Sequence, residues 1–295
     1  HEVAYALGSE GLIRVVSQGA LLPFSSWIQP AGQFEPLVTR LKNLLKDYAA
    51  DGTIFKELIQ NACDAGASKV HFIWDWRTFA GNKLLTGEMS KWQGQCLWVY
   101  NNAEVSDEDF EHLCRLGMGG KRQAEKIGRH GVGFNVVYHL TDLPSVLSRD
   151  QLLILDTLVK STSDLGASEK LPGLRLKFLA KEVEHFPDQK EPYLDILEML
   201  GHPRGAPLSG ATLFRLPFRQ VDMGDACEVI SPFVMTILKQ DDLMAEFTKE
   251  GVNWLLFLQN MREIRFSQVF AGSRQLGTVA CAEARRVGIP CEASR

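Results

Sequence analysis

Three polar residues recur at helical spacing in the segment ELIQNACDAGA, which covers residues 57–67. Glu57 and Asn61 are four residues apart and Asp64 follows three residues later, so a helix places all three side chains on one face. An amide oxygen such as that of Asn61 can ligate Mg²⁺, and the carboxylate of Glu57 can orient or deprotonate a water molecule. This combination suits phosphate chemistry. The competing interpretation is a solvated polar face of an ordinary helix.

A second motif consists of Gly128, Gly131 and Gly133, followed by Phe134 and a further apolar run. Such a loop, leading into a helix, can hold a phosphate through backbone N–H groups with help from the helix dipole. It is not a Walker A loop, because no Gly-Lys-Ser/Thr follows. It is not a dinucleotide-binding loop either, because no strand directly precedes it. A purely structural glycine turn is the competing interpretation.

Two strand-like segments carry polar residues at one end. The segment LWVYNN ends in Asn101 and Asn102, and the segment GATLFRLP carries Thr212 close to its start. Each segment taken alone is typical of an ordinary core strand, the first one followed by an asparagine turn.

These segments lie among predicted helices and strands. Helical spacing and cap residues predict helices over residues 36–48, 53–64, 106–116, 191–200, 226–239 and 242–258, the second with Thr53 as its N-cap and Gly66 as its terminator. Alternation and apolar runs predict strands over residues 70–74, 96–100, 145–148, 152–155, 174–179, 211–216, 264–269 and 277–282, with a polar hairpin-like excursion over residues 76–94. The order indicates an α+β fold, a mixed sheet covered by helices on one face.

Composition and charge exclude several classes of protein. The chain has 295 residues, 45% of them hydrophobic, and a net charge of -4, so neither nucleic acid nor an anionic membrane is an expected partner. The apolar run over residues 254–258 is far too short to span a membrane. Six cysteines without a Cys-x-x-Cys pair favour reduced thiols in the cytoplasm over structural zinc or a disulfide framework. Because the chain begins with His1, we expect a piece of a longer, multidomain protein.

In their order along the chain, the segments ELIQNACDAGA, LWVYNN, GRHGVGFNVVYHLTDLP and GATLFRLP resemble the GHKL family of ATP-binding domains. That family includes the ninety-kilodalton heat-shock chaperones, gyrase B, MutL and histidine kinases. The segments look still more like the repeat modules of the sacsin family. The resemblance implies a Bergerat-type two-layer α/β sandwich, a mixed, mainly antiparallel sheet backed by helices, over residues 31–270. Residues 1–30 are then a leader, and residues 271–295 are an extension that completes the sheet or leads to the next domain.

The resemblance also implies that ATP or ADP binds with Mg²⁺. Glu57 corresponds to the family's glutamate that polarises the attacking water, and Asn61 corresponds to the asparagine that ligates Mg²⁺. Thr212 corresponds to the threonine that helps to hold adenine. The resemblance also places Asp64, Asn101 and Phe134 at the nucleotide. It implies that Gly128, Gly131 and Gly133 form a cradle for the phosphates.

The second box departs from the family pattern. The family usually has Asp-x-Gly-x-Gly there, and the aspartate accepts a hydrogen bond from the adenine amino group. This chain reads Asn-Asn-Ala-Glu-Val over residues 101–105. Asn101 can accept through its carbonyl oxygen, but it lacks the charge, and a misplaced NH₂ group would meet another donor. The loss of one charge-assisted bond in a buried site costs about 1–3 kcal/mol.

Two hypotheses for function follow. The first is an ATP-binding, chaperone-like module with slow ATP hydrolysis, which works in the cytoplasm with client proteins and the heat-shock chaperone machinery. The second is a pseudo-ATPase scaffold with a degenerate adenine pocket, which acts through protein interaction without nucleotide. A nucleic-acid enzyme of the gyrase or MutL type is disfavoured by the acidic net charge.

Overall fold

The computed structural model describes residues 35–114, 133–220, 229–258 and 260–284. The chain divides between Pro36 and Leu37 into two units, and the second unit contains the elements below. Its described α-helices are α1 (Leu37–Lys46), α2 (Thr53–Asp64), α3 (Asp107–Leu113), α4 (Pro187–Met199) and α5 (Ile237–Phe257). Its described 3₁₀ helices are Gly87–Trp92, Gly133–His139, Ser163–Leu165 and Lys181–His185. Its strands are β1 (Lys69–Asp75), β2 (Cys96–Asn101), β3 (Ser145–Arg149), β4 (Gln151–Leu155), β5 (Gly173–Lys177), β6 (Leu208–Pro217), β7 (Glu263–Val269) and β8 (Gly277–Glu283).

These strands form a single sheet in the order β5-β4-β3-β6-β2-β1-β7-β8. Neighbouring strands are antiparallel except β1 and β7, which run parallel with Lys69 opposite Glu263. A strand occurs at every segment for which the sequence predicts one. The predicted α+β sandwich with a mixed, mainly antiparallel sheet is therefore confirmed. Among the helices described, none is long and apolar enough to cross a membrane.

Aromatic rings fill the core between the sheet and helices α2 and α5. Phe55 of α2 packs edge-on against Phe72 of β1 and Phe266 of β7, with ring centroids 5.1 and 5.0 Å apart. Phe247 of α5 lies 4.4 Å from the same Phe266 ring. Contacts of this kind contribute about 0.5–1.5 kcal/mol each beyond the area that they bury. This packing fixes α2, and with it Glu57, over strands β1 and β7.

The opposite face of the sheet is covered by α4 and by part of residues 76–94. Tyr193 of α4 packs edge-on against Trp98 of β2, with 5.3 Å between ring centroids. The sequence predicts a polar excursion over residues 76–94, but the 3₁₀ helix within it buries Met89 and Trp92. Residues three apart share one side of a 3₁₀ helix, so this short helix has an apolar side.

The predicted helix over residues 242–258 is confirmed as part of α5, but the separate helix over residues 226–239 is wrong where that segment is described. Residues 221–228 lie outside the described part, residues 229–236 are not helical, and the single helix α5 begins at Ile237. The hydroxyl oxygen of Thr236 accepts a hydrogen bond from the N–H of Lys239 at 3.3 Å and caps the helix. Pro232, just upstream, has no N–H to donate to a helix.

A buried ion pair fixes the end of the 3₁₀ helix that follows the glycine motif. Arg219 donates two hydrogen bonds to the carboxylate of Asp142, at 3.0 and 2.5 Å. Both side chains are almost fully buried. The same guanidinium donates to the carbonyl oxygens of Tyr138 and His139 at 2.5 and 2.7 Å. Asp142 also accepts the N–H of Ile230 at 3.2 Å, so the pair joins this helix to the segment before α5.

Candidate functional site

Side chains from outside the helix fix the start of α2. The N–H of Gly52 donates to Glu246 of α5 at 3.0 Å, and the N–H of Thr53 donates to Asp51 at 2.8 Å. Lys56 pairs with the other carboxylate oxygen of Glu246 at 2.8 Å. The prediction that Thr53 is the N-cap is wrong, because the cap position is Gly52 and its backbone is satisfied by the Glu246 carboxylate.

The end of α2 is the glycine turn that the sequence predicts. Gly66 has a φ of 85°, a left-handed conformation that favours glycine, and its N–H donates to the carbonyl oxygen of Cys63. The chain then enters β1, where the amide oxygen of Asn102 accepts the N–H groups of Ser68 and Lys69 at 2.9 and 2.8 Å. Asn102 therefore has a structural role, since it ties the end of β2 to the start of β1.

The predicted polar residues of α2 lie away from its apolar side. Glu57 is half-buried, whereas Asn61 and Asp64 are exposed. Burial raises the pKa of the Glu57 carboxyl, and no hydrogen bond from the described residues reaches its carboxylate. A partly desolvated carboxylate is a stronger proton acceptor, once ionised, than a fully solvated one. Glu57 is therefore suited to accept a proton from a water molecule.

Gly133 lies against this side of α2. A β-carbon placed on Gly133 would overlap the carboxylate oxygen Oε2 of Glu57 and would lie 3.9 Å from Oδ1 of Asn61. A residue other than glycine would therefore displace the Glu57 carboxylate. Gly128 and Gly131 lie outside the described residues, and their role in a phosphate cradle stays a prediction.

Phe134 connects the same loop to the sheet. The sequence predicts a helix after the glycines, and the structure has the 3₁₀ helix Gly133–His139 there. The ring of Phe134 packs against Phe214 of β6, with 5.7 Å between centroids. Phe214 and Thr212 are two residues apart on one strand, so their side chains share the face of the sheet that α2 covers.

Three polar side chains form a row across the sheet on that face. Thr212 of β6 lies opposite Asn101 of β2 and, on its other side, opposite Ser148 of β3. Their exposed fractions are 1%, 5% and 0%, so this polar row is buried. The hydroxyl of Thr212 donates to the carbonyl oxygen of Ala103 at 2.6 Å, and the amide oxygen of Asn101 accepts the N–H of Ala103 at 3.0 Å. One backbone residue therefore orients both side chains.

Ser148 is a residue of the polar row that the sequence did not single out. Its hydroxyl donates to the carbonyl oxygen of Ala211 at 2.7 Å and accepts the N–H of Val105 at 3.1 Å. Its oxygen lies 3.5 Å from that of Thr212. The sequence shows only a serine at the end of a predicted strand, which is too common a pattern to indicate a site.

The described candidate residues form two groups, and Phe134 connects them. It follows Gly133 of the first group in the chain, and its ring contacts Phe214, two residues from Thr212 of the second group. The first group is Glu57, Asn61 and Gly133, with Asp64 further along the helix, and the second group is Asn101 and Thr212. The first group offers an amide oxygen, a half-buried carboxylate and a glycine without room for a side chain, a set that fits a cation and a phosphate. In the second group the Asn101 oxygen accepts the N–H of Ala103, and it lacks the negative charge with which an aspartate would bind an adenine amino group.

Two hollows of about 280 Å³ each occur elsewhere on the described surface. One lies between the start of α2 and α5, where Asp51, Lys239 and Glu246 are among the lining residues. The other lies beside the β7–β8 hairpin, next to Phe270 and Leu276. None of the predicted site residues lines either hollow.

A third group of side chains has the composition of a metal site. Glu263, Cys281 and Glu283 of strands β7 and β8 bring their ligand atoms within 4.8 Å of one another. Lys69 and Arg265, however, pair with the Glu263 carboxylate at 3.1 and 2.8 Å. Two positive charges already neutralise this carboxylate, so the group does not fit a cation well.

The fold and the site define an α+β domain with polar side chains collected between one helix and a mainly antiparallel sheet. The Sacsin domain family model matches residues 34–280, and the chain belongs to this family. The chain is 35% identical over 249 residues to Sacsin of Homo sapiens; the match covers 82% of this chain and only 5% of that protein's length. Among solved structures, a crystal structure titled as the N terminal domain of a DNA repair protein matches with a TM-score of 0.38 and 10% identity, over 82% of this chain and 55% of that one.

Proposed function

We propose that this chain is a nucleotide-binding, chaperone-like module of a larger multidomain protein. The observation that carries the proposal is the position of Gly133, whose absent side chain leaves room for the Glu57 carboxylate beside the Asn61 amide. Two motifs distant in sequence meet there, and they are the motifs that the GHKL resemblance assigns to Mg²⁺ and phosphate. The sacsin family membership supports a place within a long chain.

The residues of the first group have separable roles in this proposal. Asn61 would hold Mg²⁺ through Oδ1, and the bound cation would neutralise charge on the phosphates. Glu57, with its raised pKa, orients a water molecule and accepts its proton as the water attacks phosphorus. Catalysts of this fold often need a cation from a neighbouring domain to stabilise charge on the phosphates, so turnover by the chain alone is expected to be slow.

The wider context is part of the same proposal. ATP or ADP with Mg²⁺ is the cofactor that the GHKL resemblance implies. Client proteins and heat-shock chaperone machinery are the proposed partners, nucleic acid and membranes are not, and the cytoplasm is the proposed location. The acidic net charge of -4 argues against nucleic acid as a partner.

A second candidate function is a scaffold that acts in protein interaction without nucleotide. It is favoured by Asn101, which lacks the charge of the family's aspartate and whose amide oxygen already accepts the N–H of Ala103 at 3.0 Å. The two candidates make opposite predictions for nucleotide binding, and calorimetry separates them.

The experiment is calorimetric titration of the 295-residue chain with Mg²⁺ complexes of ATP and ADP at millimolar concentration. Binding of either nucleotide supports the proposal. The variant Asn61→Ala should then lose the Mg²⁺-dependent part of the affinity, and Glu57→Ala should keep binding but lose hydrolysis. The variant Glu182→Ala removes an exposed carboxylate outside the site and should change neither property. Absence of heat with both nucleotides would remove the proposal and leave the scaffold.

A further inference from the structure

The hollow between the start of α2 and α5 combines apolar and acidic side chains. Its lining includes two apolar residues, Phe233 and Leu243, and three carboxylates, those of Asp51, Asp242 and Glu246. Its volume of about 280 Å³ lies just below the range of about 300–1,000 Å³ that is usual for small-molecule sites. The hollow therefore suits one long side chain of another protein better than a cofactor.

The three carboxylates of this hollow differ in what already binds them. Both oxygens of Glu246 are used, one by a backbone N–H at the start of α2 and the other by Lys56. Asp51 accepts the N–H of Thr53 at 2.8 Å. Asp242 makes no hydrogen bond or ion pair with any residue that the structure describes. Asp242 is therefore the carboxylate that is most open to a cation from another molecule.

The ammonium group of Lys239, which also lines the hollow, is already bound within the chain. It donates to the carbonyl oxygen of Val234 at 2.7 Å and lies 4.3 Å from the centre of the Phe233 ring. When Lys239 and Lys56 are both counted against the three carboxylates, this group of side chains keeps a net charge of -1 (2 minus 3). The charge of the lining therefore complements a positively charged group.

Two large apolar side chains at the start of α5 are exposed beside the hollow. Ile237 has an exposed fraction of 55% and Leu238 one of 77%. Leu238 precedes Asp242 by four residues, so the two side chains share one face of α5 and lie one turn apart. Exposed apolar side chains that adjoin a concave, charged site favour a protein partner over a small ion.

We infer that the hollow, together with Ile237 and Leu238, binds a segment of a partner protein that carries an arginine beside apolar residues. The guanidinium group enters the hollow and donates to Asp242, and the apolar neighbours of the arginine cover Leu238. Arginine fits better than lysine, because its planar group offers several donors to carboxylates and its stem packs on apolar side chains. The inference goes beyond the proposed nucleotide binding, since none of the predicted nucleotide residues lines this hollow.

Binding in the hollow should be visible at the start of α2. The N–H of Gly52 donates to Glu246 at 3.0 Å, and the N–H of Thr53 donates to Asp51 at 2.8 Å. A cation that binds beside these two carboxylates changes the charge at both acceptors, and the chemical shifts of the two amides respond. Spectra of the ¹⁵N-labelled 295-residue chain therefore report both the affinity and the place of binding.

The probe is the peptide acetyl-Leu-Gly-Arg-Gly-Leu-amide. Its matched control carries citrulline in place of arginine, which keeps the shape of the side chain and removes the charge. Asp242→Asn removes a lining carboxylate, and Asp241→Asn makes the same change at the adjacent residue, which does not line the hollow. Leu238→Ser removes the exposed apolar side chain. All three side chains are exposed, so we expect each variant to fold.

The chain should bind the arginine peptide at least about fivefold more tightly than the citrulline peptide, which is the effect of one ion pair at a partly exposed site. Asp242→Asn should remove most of this difference, Asp241→Asn should retain it, and Leu238→Ser should weaken both peptides by the same factor. Equal affinities for the two peptides, or failure of both to bind at millimolar concentration, would overturn the inference. Binding that leaves the amides of Gly52 and Thr53 unshifted would overturn it as well. None of these outcomes decides nucleotide binding, which the titration with ATP and ADP tests separately.

Discussion

Gly133 and Glu57, 76 residues apart in the chain (133 minus 57), touch so closely that a β-carbon on the first would overlap the carboxylate of the second. The contact joins the end of the glycine motif to the helix that carries the proposed water-orienting group. The obstacle to a β-carbon at this position is the end of the flexible Glu57 side chain, which can move aside only by leaving its place beside Gly133. The relationship can therefore be tested by removing either partner.

The variant Gly133→Ala should destabilise the chain and displace the Glu57 carboxylate. In a Glu57→Ala background the added methyl group meets no carboxylate, so the same substitution should cost less. We expect a coupling free energy of about 0.5–3 kcal/mol between the two positions. Urea denaturation of the chain, both single variants and the double variant measures it. The control is Gly87→Ala, where an added β-carbon has no neighbour within 4 Å. A purely additive double variant would show that the contact is absent.

Replacement of Glu57 by glutamine should stabilise the fold at neutral pH. Burial raises the pKa of this carboxyl above its usual 4.5, so the folded state bears a cost whenever the group is ionised. The advantage of Glu57→Gln is absent at acid pH, where the glutamate is protonated in both states; it grows as the pH rises above 4.5 and is complete above the folded-state pKa. The difference in Tm between variant and parent from pH 4 to pH 8 measures this. An advantage that does not depend on pH would contradict the assignment.

His71 should make the fold sensitive to mild acid. Burial lowers its pKa from 6.5 to about 4, and Arg265 adds to the effect. Between these values the unfolded chain binds a proton that the folded chain does not. The stabilising contribution is therefore complete above pH 6.5 and is lost as the pH falls towards 4. A shift of this size corresponds to about 3 kcal/mol.

The variant His71→Gln removes the titrating group from β1 and retains an amide that can bond to Ser267, which His71 contacts at 2.8 Å. Its free energy of unfolding should fall less steeply between pH 6.5 and pH 4 than that of the parent chain. Equal slopes in urea denaturation at these pH values would show that His71 is not the group responsible.

The buried pair of Arg219 and Asp142 should be far more sensitive than a surface pair. Arg219→Met leaves a buried carboxylate without its cation and frees the carbonyl oxygens of Tyr138 and His139. We expect a loss of about 3–5 kcal/mol in the free energy of unfolding. Arg204→Met breaks an exposed pair with Glu191 and should cost less than about 1 kcal/mol. Similar losses in the two variants, measured by urea denaturation, would contradict this ranking.

Much of the fold could be predicted because its strands and caps are local patterns. The strands alternate or are continuously apolar, and Ser106 with Asp109 forms the capping box that the acidic segment predicts. The start of α5 carries a local signal as well, because Thr236 is a favoured N-cap residue, and that signal was overlooked. The buried ion pairs could not be predicted for a different reason. Arg77 and Asp195, for example, are 118 residues apart, so their pairing depends on the tertiary fold.

In the candidate site, too, residue spacing could be predicted from the sequence but side-chain orientation could not. Helical spacing identified Glu57 and Asn61, because side chains four residues apart share a helix face. The direction of the Asn101 amide and of the Thr212 hydroxyl could not be predicted, because the backbone of Ala103 decides both. A hydrogen bond to a backbone group depends on the conformation of the chain and not on a residue type, so the sequence does not indicate it.

The parallel ladder between β1 and β7 has a consequence for how the molecule is made. His71 and Ser267, neighbours across it, are separated by 196 residues. During synthesis the helix that carries Glu57 is made early. Strand β7, whose Phe266 packs against Phe55 of that helix, is made only when the domain is nearly complete. Pairing over such a distance is slow and comes late. A nascent chain cut short before β7 would therefore carry every described residue of the site and still be unable to hold them in place.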